Sequence, residues 1–312
     1  MKIKKYLPII GIVIFLYILF KLNISNVLKE ISHANFFFIL LASCFILFSW
    51  ITTTLKWFII AKRQKIDVPF YYAFKINLIS IFYGFITPSR IGSIIRIDYL
   101  KKFNKNRLGK GISNYILEKF LDIGSLFFLV LISSFVLKKI LSINYFHYAL
   151  FGLVIFLVFF LIFRDRETSK KMLRIFYVKF VPEKIKNRFR ESFYSFYEDM
   201  PEKRYFVLFF FFSIINWIVL YSILYFIGLA IGINISFFYF LLFMPIVTII
   251  GQIPITINGL GTKEAAMISL FGLLGVSATK IFSMSLINLV LNGIIPAIIG
   301  MLLTLKYRRI SN

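Results

Sequence analysis

Residues 205–230 read YFVLFFFFSIINWIVLYSILYFIGLA, an apolar run without a charged side chain. A helix needs about 20 such residues to cross the hydrocarbon core of a bilayer. Of all 312 residues 60% are hydrophobic, whereas soluble domains are about 45–50% apolar. This composition excludes a soluble enzyme and predicts an all-α polytopic membrane protein. Working outward, similar runs predict further spanning helices at 7–22, 36–60, 112–137, 145–163 and 277–304.

Two more apolar segments, 70–99 and 236–275, are interrupted in the middle. The sequence TPSRIG interrupts the first at 87–92, and PITINGLG interrupts the second at 254–261. Proline and clustered glycine end helices, and non-helical backbone at membrane depth survives only inside protein or beside a water-filled cavity. We therefore expect about six spanning helices plus two broken re-entrant helical hairpins.

The charged residues predict the orientation. The chain has 37 Lys and Arg against 13 Asp and Glu, a net charge of +24. With the N-terminus inside and both broken segments as hairpins, 29 of the 37 fall on the inner side and six on the outer side, as basic cytoplasmic loops require. Lys56 is counted with the inner end of the 36–60 helix. The two hairpins then have opposite orientations, which is typical of inverted-repeat transporters with midplane sites.

These counts predict a single transmembrane domain over 1–312 in a prokaryotic cell (inner) membrane, with both termini cytoplasmic. Segment 164–204 is a basic connector within it, which we expect to form an amphipathic helix on the inner leaflet or a solvated link. The basic residues lie between apolar runs and form no patch on a polar domain, so a nucleic-acid partner is not expected.

Chemistry-bearing residues are few outside the membrane segments. The two histidines, His33 and His147, fall in short outer loops, and Cys44 is the one cysteine. Neither a phosphate-binding loop nor a dinucleotide fingerprint is present. We therefore expect no catalytic residue, no metal ligand and no cofactor.

Glu118 and Asp122 stand out because they lie four residues apart on one face of the 112–137 helix. A charged residue at a helix centre costs about 2.5–3.5 kcal/mol on insertion scales, so a cation or a proton must neutralise the pair. Two interpretations remain open: an ion pair that locks helices together, or charge balance and proton handling during transport. The candidate cations are Arg90, Arg96, Lys75 and Lys119.

The two interruptions are the predicted substrate site. Each begins a half-helix whose free N–H groups suit an anion, and arginine suits phosphate through two parallel hydrogen bonds. The alternative is that these residues only shape packed hairpins and that Arg96 anchors the inner leaflet. Trp50 and Trp57 are expected in interface belts. The predicted substrate-binding residues are Pro88, Arg90, Gly92, Arg96, Asn258, Gly259, Gly261, Lys263 and Glu264.

Three stretches carry a family resemblance: Asn77 to Arg96, Glu118 to Asp122, and Pro254 to Gly275. In this order they resemble the transmembrane region of bacterial lysylphosphatidylglycerol synthases and related flippase-like membrane proteins. Lys119 and Lys263 stand where the family commonly has arginine. The soluble aminoacyl-transferase domain of those synthases is absent, so the resemblance implies the lipid-translocating part and not synthesis.

The sequence thus predicts a non-enzymatic membrane protein that binds and flips an anionic phospholipid or lipid-linked intermediate. The alternative is a non-catalytic scaffold for a separate lipid-modifying or glycosyl-transferring enzyme, which would dock on 164–204 as a membrane or cytoplasmic partner.

Overall fold

The computed structural model describes residues 7–87, 90–104, 107–139, 145–180, 183–253, 256 and 259–311. Nearly all of these residues are helical, and none of them forms a β-strand. Five helices in this part of the chain are long and apolar enough to cross a membrane, and a bent N-terminal pair raises the total to six. The predicted all-α polytopic membrane fold is confirmed.

The helices are named in chain order. They are α1 Leu7–Lys21, α2 Ile24–Ser32, α3 Phe36–Arg63, α4 Phe70–Phe85, α5 Arg96–Leu100, α6 Leu108–Val136, α7 Tyr145–Arg164, α8 Arg166–Phe180, α9 Glu183–Tyr197, α10 Lys203–Ala230, α11 Phe237–Gln252, α12 Thr262–Gly272, α13 Ala278–Leu289 and α14 Ile295–Ser311. A π-helical turn, Val290–Ile294, joins α13 to α14 just before Pro296, whose ring cannot donate a backbone hydrogen bond.

The N-terminal apolar run ends within one residue of the predicted bounds 7–22, since helix α1 stops at Lys21. A second helix, α2, follows it at an angle of 81°. Asn23 makes this corner because it adopts a φ of 64° and its Oδ1 accepts a hydrogen bond from the Ser25 N–H at 3.2 Å. Residues 24–32 were not predicted to be helical.

Both predicted interruptions are present. Helix α4 ends at Phe85, and the chain resumes as a short 3₁₀ turn at Ile91–Ile95. Helix α11 ends at Gln252, and α12 begins at Thr262.

The chain forms two compact units. Unit 1 comprises Met1–Thr53, Phe74–Ile95 and Ile215–Asn312, and unit 2 comprises Thr54–Ala73 and Arg96–Ile214. In unit 1, Phe271 packs against Phe240 and Phe243 with ring centroids 4.8 and 5.2 Å away. Unit 2 has a core of Ile60, Leu117, Leu121, Phe206 and Phe209. Burying such side chains contributes about 1.5–3 kcal/mol each.

The basic connector forms two helices, α8 and α9. Helix α9 packs closely against the start of α6. The approach is so close at Gly109 that a Cβ there would collide with the Ser192 carbonyl and the Ser195 side chain. The Tyr197 hydroxyl donates to the Phe163 carbonyl at 2.8 Å. These contacts dock α9 within unit 2.

Candidate functional site

A cluster of charged side chains is buried in unit 2. Helix α3 supplies Lys56, the start of α5 supplies Arg96, and α6 supplies Glu118 and Asp122. The exposed fractions of the Lys56, Arg96 and Glu118 side chains are only 2%, 4% and 1%. At about 1.5 Å per residue, Asp122 lies roughly 21 Å along the 29-residue α6, near its middle.

Each carboxylate in this buried cluster has a cationic partner. Arg96 Nη2 donates to Glu118 Oε2, and Lys56 Nζ donates to Asp122 Oδ1. Lys56 Nζ also lies 3.5 Å from Glu118 Oε1, so it bridges the two acids. Two further groups face Asp122: the Ser213 hydroxyl donates to Oδ1 at 3.0 Å, and Lys119 Nζ lies 3.7 Å from Oδ2. Pairing of this kind is what makes charge at membrane depth tolerable.

Aromatic rings enclose the Arg96 guanidinium. Its central carbon lies 4.7 Å from the Trp57 ring centroid and 5.2 Å from that of Tyr115, both within cation–π range. Among the described residues, Arg96 Nε and Trp57 Nε1 are buried donors without a hydrogen-bond acceptor. Two such donors beside a cation are suited to an anionic oxygen, since an unmet buried donor costs about 1–3 kcal/mol.

The four side chains of the buried cluster balance in charge, since Lys56 and Arg96 are positive and Glu118 and Asp122 are negative. Lys119 adds one positive charge beside them, on a side chain that is 43% exposed. A monoanionic group bound there would offset the charge of Lys119.

The sequence predicted part of this cluster. Of the four cations named for Glu118 and Asp122, Arg96 and Lys119 contact the pair. Lys56 was counted with the inner-side charges and was not named as a partner of these acids, yet α3 continues past it to Arg63 and its ammonium is buried between Glu118 and Asp122. The placement of Trp57 in an interface belt was wrong, since its side chain is fully buried beneath Arg96.

The first interruption, in unit 1, is held together by Thr87. Its hydroxyl donates to the Tyr83 carbonyl at 2.8 Å and accepts from the Gly92 N–H at 2.7 Å. Gly92 is required there because a Cβ would collide with the Tyr83 carbonyl. Arg90 adopts a φ of 57°, which is uncommon for a side-chain-bearing residue. Pro88 lies outside the described residues.

The second interruption, also in unit 1, is held together by Glu264. Its Oε2 accepts from the Gly261 N–H at 2.5 Å, and its Oε1 accepts from the Ser285 hydroxyl at 2.6 Å. Gly261 has a φ of 83° and lies against the Gly11 carbonyl of α1. Glu264 is therefore placed to cap the start of α12, with both oxygens engaged by the protein. Asn258 lies outside the described residues.

Two of the predicted substrate-binding cations, Arg90 and Lys263, belong to unit 1. Their positive charges repel each other, and the negative charge of Glu264 opposes this effect at Lys263. The Lys263 side chain covers Gly251 and Gly259, where any Cβ would collide with it. Arg96, by contrast, belongs to unit 2 and to the cluster around Glu118.

No group of three or more His, Cys, Asp or Glu side chains in the described part of the chain is arranged to hold a metal ion. Lys56, Trp57 and Ser213 were missed as site residues. Lys56 alone carried a usable signal, as a lysine placed inside an apolar helix.

These features define a multi-pass helical membrane protein with a buried ion cluster. Residues 8–300 match the model of the family described as lysylphosphatidylglycerol synthase TM region, and the chain belongs to that family. It is similar to a UPF0104 membrane protein from Pyrococcus horikoshii, 27% identical over 334 aligned positions that cover 98% of each chain. A UPF0104 membrane protein from Methanothermobacter thermautotrophicus is 23% identical and aligns with 92% of this chain and 88% of its own length. The resemblance inferred from the sequence is confirmed.

Proposed function

We propose that this protein binds the anionic headgroup of a phospholipid or lipid-linked intermediate and moves it across a prokaryotic cell membrane. The observation that carries the proposal is the environment of Arg96. This buried cation has one unmet donor and lies against Trp57, which has another. A phosphate group supplies acceptor oxygens of the kind that each of these donors lacks.

The positive charge of Lys119 beside the buried cluster supports a monoanionic ligand. A phosphodiester carries one negative charge, so its arrival would offset that of Lys119. Glu118 and Asp122 balance the charges of Arg96 and Lys56 when the headgroup is absent.

Arg90 and Lys263 form a separate candidate contact within unit 1. A bound anion would reduce the repulsion between these two cations, and the start of α12 adds the positive end of its helix dipole. During transport, these polar side chains would bind the headgroup within the membrane, in place of the water that surrounds it at the surface. The protein changes no covalent bond in this process. Both termini are cytoplasmic in the proposed orientation.

Headgroup translocation can be measured in proteoliposomes that contain fluorescent phosphatidylglycerol, by following loss of signal to an impermeant quencher. The informative variant is Arg96→Gln/Glu118→Gln, which removes both members of an ion pair and leaves no unpaired charge between them. Its control is Lys62→Gln/Asp67→Asn, which removes an exposed pair that lies 2.8 Å apart in the same unit.

We expect wild type and the control to accelerate translocation over protein-free liposomes. We expect the Arg96→Gln/Glu118→Gln variant to be at least about tenfold slower than wild type, since it lacks a charged hydrogen-bond donor. An equal rate for this variant and wild type would refute the proposal.

A scaffold role is the competing proposal, and the exposed basic residues of α8 and α9 favour it. Lys170, Lys171, Arg174 and Arg190 are all exposed on helices outside the candidate spans. In that role their replacement by glutamine would abolish co-purification of an enzyme partner and leave translocation unaffected.

A further inference from the structure

A cavity of about 710 Å³ lies in unit 2, away from the buried cluster. It is lined by the first residues of α6, by Arg166 at the start of α8, and by one face of α9 between Glu191 and Glu198. Small-molecule sites in proteins have volumes of about 300–1,000 Å³. This cavity therefore has room for an organic molecule and not only for a bare ion.

Two arginines converge on Tyr194, a residue of the cavity lining. Arg166 also lines the cavity, whereas Arg190 is not a lining residue. The guanidinium carbons of Arg166 and Arg190 lie 4.7 and 5.8 Å from the Tyr194 ring centroid. Both side chains hydrogen-bond to the Tyr194 hydroxyl oxygen. The hydrogen bond from Arg190, and then the charge of Lys170, lower the pKa of Tyr194. An oxygen at this point is therefore stabilised in its anionic form.

Two of the acids near the cavity are engaged by other groups. Glu198 is engaged by Arg107 and lies 3.9 Å from Lys110. Asp165, which precedes α8, accepts from the Thr168 N–H at 2.8 Å and from its hydroxyl at 2.6 Å.

The lining contains two cations, Arg107 and Arg166, and two acids, Glu191 and Glu198, so its charges are equal in number. Outside the lining, Arg190 and Lys170 act on Tyr194 and add positive charge near that residue. Ser192 and Ser195 add small polar groups to the lining.

We propose that this cavity binds a phosphate ester at Tyr194, with Arg166 of the lining and the adjacent Arg190 holding the phosphate. Arginine pairs with phosphate through two parallel hydrogen bonds, and two arginines around one oxygen already show the required convergence. A soluble phosphate ester and the headgroup of an anionic lipid share this chemistry. The proposal does not depend on headgroup binding by Arg96, because none of the residues in the buried cluster lines the cavity.

The test is amide hydrogen exchange across residues 183–197 of the full-length protein in nanodiscs. One arm adds glycerol 3-phosphate to nanodiscs of zwitterionic phosphatidylcholine, and the other replaces part of that lipid with phosphatidylglycerol. The variant is Arg166→Gln/Arg190→Gln. Its control, Lys171→Gln/Arg174→Gln, removes the same charge from exposed positions of α8 that do not line the cavity.

We expect slower exchange in α9 when a ligand binds, with affinity about 10- to 100-fold weaker in the Arg166/Arg190 variant and unchanged in the control. Protection by glycerol 3-phosphate identifies a soluble ester as ligand, and protection only by phosphatidylglycerol identifies a lipid headgroup. The proposal is overturned if neither probe protects α9. It is also overturned if the control loses protection as fully as the variant, since binding would then reflect net charge alone.

Discussion

Arg96 and Glu118 form an ion pair inside unit 2, with side chains that are only 4% and 1% exposed. A pair this deeply buried differs from a surface salt bridge in its energetics. Removing one partner leaves the other charge without compensation, whereas removing both can be nearly neutral. The double variant therefore removes the proposed binding group while keeping most of the stability, which separates the structural role of Arg96 from its proposed role in binding.

The first prediction concerns stability. Arg96→Gln alone is expected to lower the free energy of unfolding by about 3 kcal/mol, the low end of the ~3–5 kcal/mol range for broken buried pairs, because Lys56 still faces Glu118 at 3.5 Å. Arg96→Gln/Glu118→Gln should recover most of that loss. Unfolding in a denaturing detergent series measures both values.

The exposed pair Lys62–Asp67 provides the matched control for that experiment. Its side chains are 43% and 95% exposed, so Lys62→Gln should change the free energy of unfolding by no more than about 1 kcal/mol. If Arg96→Gln proves as mild as Lys62→Gln, the buried ion pair does not exist in the folded protein.

The second prediction separates two reasons for glycine at the positions that flank α12. Gly261 and Gly275 have similar φ values of 83° and 75°, but a Cβ at Gly261 would collide with the Gly11 carbonyl, whereas at Gly275 nothing lies within 4 Å. Gly275→Ala should therefore cost only the strain of the backbone, about 1–2 kcal/mol. Gly261→Ala should cost clearly more, because α1 must also move away. Melting temperatures of the two variants, measured side by side, decide this; equal losses would contradict the close approach of α1.

The third prediction concerns pH and Asp199. Hydrogen bonds from Lys110 at 2.5 Å and Lys65 at 2.6 Å lower the pKa of this carboxyl, which follows α9. A lowered pKa in the folded state means that the stabilisation is present above the unfolded pKa of about 4 and is lost as the pH falls through the folded value. Asp199→Asn should therefore lower the melting temperature at pH 7. The difference from wild type should shrink as the medium is acidified below about pH 4.

Lys65 determines how the stability contributed by the same ion pair changes at alkaline pH. Its hydrogen bond with Asp199 raises the pKa of the ammonium, so this contribution is present at neutral pH and is lost only as the pH rises through the raised value. A difference between wild type and Asp199→Asn that stayed constant from pH 3 to pH 7 would show that Asp199 is not paired in the folded state.

Local pattern explains which parts of the molecule could be predicted from sequence. Long apolar runs predict spanning helices because about 20 apolar residues match the hydrocarbon core of a bilayer. The TPSRIG and PITINGLG segments end helices because they contain proline and glycine. The four-residue spacing of Glu118 and Asp122 places both on one face of α6 without any tertiary information.

The rest of the buried cluster depends on packing between distant segments. Lys56 and Asp122 are 66 positions apart, and a lysine near the end of an apolar helix has the same local pattern whether it reaches the interface or an acid. Trp57 was misplaced for the same reason. Helix α2 was missed because residues 24–32 are too short and too polar to match a spanning pattern, and Asn23 sets their direction through its own backbone conformation.

The most direct test of the central claim is native mass spectrometry of gently solubilised wild type beside Arg96→Gln/Glu118→Gln. If Arg96 and Trp57 hold an anionic headgroup, wild type retains one lipid class selectively, and the neutral-pair variant, folded to the same melting temperature, loses it. Identical, unselective lipid adducts on both proteins would contradict the claim and leave the buried cluster as a purely structural lock.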